Sequence, residues 1–142
     1  MDFSTINWFA VIVCVLVSMV TGAIWYSPKV FFNTWWKGIG KSEGEEPDSS
    51  NMGMTWGLTV LSSFLQAVAM SFMVTALGEL MSMGVSAGSG ALTGFMLWFG
   101  FIAPTYLVNK LFAGHGFKVW GIEIGNHLVN FVLFGAILGA WR

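Results

Sequence analysis

The sequence predicts an all-α integral membrane protein with four transmembrane helices arranged as two hairpins. Of the 142 residues, 56% are hydrophobic and only 9% are charged, whereas a soluble domain carries roughly 25% charged residues. Four apolar segments have about the 20 residues that a helix needs to cross a bilayer. Eight tryptophans add the aromatic side chains that anchor such proteins at membrane surfaces.

The predicted spans cover residues 7–26, 55–80, 84–103 and 119–141 of one membrane domain, 1–142. Backbone groups in lipid must be satisfied internally, so runs this apolar are expected to be helical. The stretch "KSEGEEPDSSNMG", residues 41–53, is rich in Gly, Ser, Pro and acidic residues, which indicates a solvated loop. The turn between the second and third spans takes only "MSMG", residues 81–84, so these two spans are expected to be antiparallel.

Two similar segments follow the first and third spans, "SPKVFFNTWWKGIGK" and "APTYLVNKLFAGHGFK". Each begins with a proline, which favours the first turn of a helix, and each mixes aromatic residues with lysines. This pattern predicts a short interfacial helix after each of these spans. For the second segment an alternative stays open, in which span 3 simply continues past a kink at Pro104.

The distribution of basic residues predicts the orientation in the membrane. Five lysines lie in the connections after spans 1 and 3, and only Arg142 lies on the other side. The positive-inside rule therefore places both long connections in the cytoplasm and both termini outside. The expected interfacial anchors are aromatic residues near the span ends: Trp25, Tyr26, Trp35, Trp36, Trp120 and Trp141.

The fourth span contains an unexpected polar stripe in the stretch "EIGNHLVN". Glu123, Asn126, His127 and Asn130 follow the i, i+3, i+4, i+7 pattern of one helix face. Ser18 of span 1 and Gln66 of span 2 fall at a similar depth. We expect these groups to face one another inside the bundle, because exposure to lipid would cost several kcal/mol each. Small residues that allow close helix packing are also expected, at Gly90, Gly94, Gly121, Gly125, Gly135 and Gly139.

Two functions remain open for this stripe. It is either structural hydrogen bonding between helices, or a site at which Glu123 and His127 bind or move a small solute or protons. A different class of function is a non-catalytic membrane subunit that docks a partner protein, or a second copy of itself, through the glycine faces. No enzymatic motif or nucleotide-binding loop is present, and no cofactor is indicated. A metal site would need more ligands than Glu123 and His127 supply, and the net charge of −1 argues against nucleic acid.

Several motifs resemble one known family. "GAIWYSP" with the following "FFNTWW", "LWFGFIAP" leading into "LF", and the terminal "NHLVNFVLFGAILGAW" are similar to the bacterial membrane family called domain of unknown function 1761. The resemblance extends over nearly the whole chain, with the acidic loop as its main variable part. It implies a small four-span protein of a bacterial inner membrane, and it implies no activity.

Overall fold

The described part of the chain consists of helices and their connections. A computed structural model describes residues 2–141. Its elements, in chain order, are a 3-10 turn Phe3–Thr5, α1 Trp8–Trp25, α2 Phe32–Gly38, α3 Met52–Leu80, α4 Ala87–Leu97, a π turn Trp98–Ile102, α5 Ala103–Ala113 and α6 Gly116–Ala140.

Four helical segments are long and apolar enough to cross a membrane, as the sequence predicted: Trp8–Trp25, Met52–Leu80, Ala87–Ala113 and Gly116–Ala140. Their outward surfaces carry large apolar side chains. On α1, for example, Phe9, Ile12 and Leu16 are 53–61% exposed. Soluble proteins rarely expose large continuous apolar surfaces, so this surface indicates an integral membrane protein.

The third span is longer than the sequence suggested. The π turn joins α4 to α5 without a break, so one helical segment runs from Ala87 to Ala113. At the turn the Ala103 N–H donates to the Trp98 carbonyl, five residues earlier. Pro104 has no N–H and disturbs the regular hydrogen-bond ladder here, and a π turn is one way to absorb such a disturbance. Residues 104–113 therefore continue span 3 and do not form a separate helix.

Other boundaries differ by a few residues. Helix α3 begins at Met52, inside the segment assigned to the loop, and α6 begins at Gly116. The exposed loop before α3 has only turns. Helix α5 ends at Ala113 and is followed by Gly114, whose left-handed conformation (φ 73°) closes the helix at low cost. Arg142, on which part of the orientation argument rests, lies outside the described residues, and the orientation itself remains a prediction.

Helix α6 is the centre of the bundle. Over an apolar stretch of 18 residues, 50% of the residues of α6 are buried, whereas the corresponding share is 17–28% in the other three spans. Phe134 and Leu138 of α6 pack in one core with Val11 and Cys14 of α1 and Met70 of α3. A polar stripe on a lipid-facing helix would be costly, but on this central helix the other helices can cover it.

Glycines bring α4 and α6 into backbone contact. A Cβ at Gly90 would overlap the Gly135 carbonyl, and one at Gly94 would overlap the Phe131 carbonyl. A Cβ at Gly139 would overlap the carbonyl of Ser86, at the start of α4. Such contacts require residues without side chains.

The other two glycines of α6 stand apart from this contact. A Cβ at Gly125 would meet the indole ring of Trp25, at 2.7 Å, and nothing lies within 4 Å of a Cβ at Gly121. Of the six glycines expected to allow close packing, four lie at the contact between α4 and α6, and Gly121 and Gly125 do not. The reason is geometric: residues 121 and 125 lie at the end of α6 that packs beside α1 and α5, beyond the reach of α4.

Candidate functional site

The stripe on α6 is directed inward. Glu123, Asn126 and Asn130 are 7–8% exposed, and His127 is half-buried. Residues of α1, α2 and α5 contact these side chains, so the stripe is shared among several elements. Each member has its own partners.

The Glu123 carboxylate lies between two neighbours. Its Oε2 is 2.9 Å from the Lys110 ammonium of α5, and its Oε1 accepts a hydrogen bond from the Trp35 indole of α2 at 3.0 Å. The Lys110 side chain is only 16% exposed. This largely buried ion pair ties α5 to α6, and the indole adds α2 to the same cluster.

His127 bonds to a different residue. Its Nε2 lies 2.9 Å from the Tyr106 hydroxyl, and the two rings are 4.9 Å apart. Glu123 and His127, which the sequence analysis treated as a pair, therefore bond to separate groups. The two contacts repeat one turn apart along the helices. Tyr106 and Lys110 are four residues apart on α5, and their partners on the antiparallel α6 are also four residues apart.

The two asparagines bond to each other, and Asn130 also connects α6 to α1. The Asn130 amide donates to Asn126 Oδ1 at 3.2 Å, and the Thr21 hydroxyl donates to Asn130 Oδ1. The Asn126 amide nitrogen is buried and has no partner within residues 2–141. Ser18 is buried nearby, but its hydroxyl donates to the Val15 carbonyl of its own helix. In this part of the stripe the bond from Thr21 to Asn130 joins α1 to α6, and the other side-chain bonds named here lie within one helix.

A cavity of about 950 Å³ lies in front of the stripe. Residues of α3 form its opposite wall. Residues 52–62 of α3 are all exposed, and buried positions begin only at Ser63. The first half of α3 therefore stands away from α6. The polar lining residues come from α1, α3, α5 and α6 and comprise Ser18, Tyr26, Thr55, Thr59, Ser62, Ser63, Gln66, Tyr106, Asn126, His127 and Asn130.

Several polar groups at this cavity lack a protein partner. The side chains of Gln66 and Ser62 and the hydroxyl of Tyr26 make no hydrogen bond to any residue from 2 to 141, and His127 bonds there only through Nε2. A polar group that is withdrawn from bulk water needs a hydrogen-bond partner, which in a cavity is water or a ligand. Gln66 lines the same cavity as Asn126, His127 and Asn130, from the α3 wall.

The sequence analysis missed the partners on α5 and α2. Tyr106, Lys110 and Trp35 were assigned to membrane surfaces, and Thr21 was not singled out. One signal was present: Tyr106 and Lys110 have the same four-residue spacing as Glu123 and His127. It becomes informative only when residues 104–113 are treated as part of a span antiparallel to α6.

The expected interfacial aromatics divide into two groups. The indoles of Trp25, Trp35 and Trp120 donate to Ile122 O, Glu123 and Ala103 O, at 2.8–3.0 Å. They therefore hold helices together. Trp36, Tyr26 and Trp141 make no such bond among the described residues, and the position of all six relative to a membrane surface remains a prediction. Within residues 2–141, no group of three or more His, Cys, Asp or Glu could hold a metal ion.

These features define a helical protein with four helices long and apolar enough to cross a membrane and a cavity of mixed polar and apolar lining among them. The chain belongs to the family described as "Protein of unknown function (DUF1761)", which it matches over residues 9–139. The resemblance seen in the sequence is thereby confirmed. Comparisons with curated proteins and with solved structures gave no match.

Proposed function

We propose that this protein binds, and in doing so carries or senses, a small solute in the cavity between α1, α3 and α6. One observation carries the proposal: a space of about 950 Å³ whose lining includes polar groups without protein partners. A bundle that used these residues only as structural hydrogen bonds would close over them. The cavity is within the range of about 300–1,000 Å³ that is typical of small-molecule sites.

The Glu123–Lys110 pair supports this function indirectly. Each charge neutralises the other at 2.9 Å, and the Trp35 indole bonds the same carboxylate. Trp35 also lines the cavity. The cluster therefore holds α2 against the bundle, where Phe32 and Trp35 of α2 line the cavity. In this proposal Glu123 is a positioning residue, and Gln66, His127 and Asn130 contact the solute.

The alternative, a subunit that docks a partner, has one observation in its favour. Residues 52–62 of α3 are exposed on every side, so a partner helix could contact them. The glycines that were expected to serve docking are less available, because Gly90, Gly94, Gly135 and Gly139 contact backbone or Cα atoms within the same chain. The cavity is therefore the stronger candidate.

Thiol labelling in lipid nanodiscs tests whether water reaches the cavity. Ser62 lines the cavity, whereas Leu61, its neighbour at the same depth, lines an apolar groove on another side of α3. In a Cys14→Ala background, Ser62→Cys should react with an uncharged reagent, 2-hydroxyethyl methanethiosulfonate, at least about tenfold faster than Leu61→Cys, because only a hydrated thiol ionises readily. Equal rates, or no reaction at either position, would refute the proposal.

A further inference from the structure

The charge distribution around the cavity restricts what it can bind. None of its nineteen lining residues is Asp, Glu, Lys or Arg within the described chain. Two charged groups lie at the stripe, Glu123 of α6 and Lys110 of α5, and they are paired with each other at 2.9 Å. An ion that entered this space would lose its hydration and gain no counter-charge. The lining therefore disfavours ionic solutes.

The remaining lining residues indicate what the cavity favours. Five are aromatic, namely Tyr26, Phe32, Trp35, Trp56 and Tyr106, and they provide flat apolar surface. The unpartnered groups of Gln66 and Ser62 supply both hydrogen-bond donors and acceptors on the α3 side. Apolar walls with a few polar groups that fix orientation are typical of sites for uncharged, partly apolar molecules.

We infer that the ligand is an uncharged amphipathic molecule with an apolar or aromatic body and a hydroxyl or carbonyl oxygen that hydrogen-bonds to Gln66. This inference rests on the proposed function and adds the chemical class of the solute. The size of the cavity, about 950 Å³, accommodates a molecule of ten or more non-hydrogen atoms, since one water occupies about 30 Å³. Ions of the same shape should bind more weakly, because the lining offers no counter-charge.

Four probes of one shape separate the contributions of charge and hydrogen bonding. They are 4-phenyl-1-butanol, butylbenzene, 4-phenylbutyrate and 4-phenylbutylammonium. Binding is measured by equilibrium dialysis at pH 8 with the protein in phosphatidylcholine nanodiscs, and uptake by empty nanodiscs is subtracted. At this pH an imidazole of ordinary pKa is neutral. The alcohol should bind saturably, and both ions should bind at least about tenfold more weakly, which corresponds to about 1.4 kcal/mol.

Two glycine variants show whether the binding occurs in this cavity. Gly22 lines it, whereas Gly57 lines the apolar groove on another side of α3. Nothing lies within 4 Å of a Cβ at either position, so both accept a side chain. Gly22→Phe should abolish saturable binding of the alcohol, and Gly57→Phe should leave it unchanged. Gln66→Leu should reduce the affinity for the alcohol to that for butylbenzene.

The outcomes distinguish this inference from the proposed function. If Ser62→Cys is labelled selectively but an ion binds as tightly as the alcohol, the cavity stands and the inference fails. The same conclusion follows if none of the four probes binds saturably, or if Gly22→Phe has no effect. Equal labelling of Ser62→Cys and Leu61→Cys would remove both proposals.

Discussion

The contact between α4 and α6 predicts opposite effects for the same substitution at two glycines of one helix. In the interior of a helix, Ala is more favourable than Gly by about 1 kcal/mol. At Gly121 no atom lies within 4 Å of the added Cβ, so Gly121→Ala should stabilise the protein by up to about that amount. At Gly135 the Cβ would overlap the carbonyl group of Gly90 and lie 3.3 Å from the Ala91 nitrogen.

The cost at Gly135 follows from the kind of atoms that it meets. All three atoms belong to the α4 backbone, so no side-chain rotation relieves the overlap and the helices must separate. Overpacking of a well-packed core costs about 1–3 kcal/mol, and rigid backbone places this site at the upper end. After subtraction of the helix-propensity gain, Gly135→Ala should destabilise the protein by about 1–2 kcal/mol.

Equilibrium unfolding by sodium dodecyl sulfate in mixed micelles measures both variants against the wild type. A third variant, Gly90→Ala, tests the mechanism, because its Cβ would meet the Gly135 carbonyl across the same contact. Once one methyl group has separated the helices, the second should cost less, so the double variant should be less destabilised than the sum of the two. A stabilised Gly135→Ala, or strict additivity, would refute the close approach of α4 and α6.

The remaining predictions concern charges. Glu123→Gln should destabilise the protein by about 3 kcal/mol, which is the lower end for a broken buried ion pair because the Lys110 side chain keeps some exposure. The double variant Glu123→Gln, Lys110→Met should recover most of that stability, because it leaves no unpaired charge. A double variant as unstable as Glu123→Gln alone would contradict the pairing. In the loop, donation by the Ser42 N–H and the Lys41 ammonium lowers the pKa of Glu45 from its ordinary 4.5. The small stabilisation that these two hydrogen bonds give is present above pH 4.5 and is lost as the pH falls through the lowered pKa of Glu45. Titration by NMR should show that Lys41→Ala raises the pKa of Glu45 only part of the way to its ordinary value, because the bond from the Ser42 N–H remains. An ordinary pKa of Glu45 in the wild type would contradict both hydrogen bonds.

Much of the architecture could be predicted from the sequence because a bilayer imposes strict local rules. Length and hydropathy located four spans, since each helix must satisfy its own backbone over a fixed thickness. The spacing of Glu123, Asn126, His127 and Asn130 placed them on one face, because helix geometry depends only on the local chain. The family was recognised from short motifs for a similar reason, since those motifs are local features of the chain.

The partners of these residues were decided only by the tertiary structure. Glu123 and His127 are four residues apart and looked like a pair, yet they bond to Lys110 and Tyr106 across the bundle. The cavity likewise exists because the first half of α3 stands away from α6. Which helices meet, and which stand apart, depends on packing summed over whole surfaces, such as the glycine contact of α4 with α6. A local pattern determines which face of a helix is polar, but the neighbours of that face follow from the arrangement of the other helices.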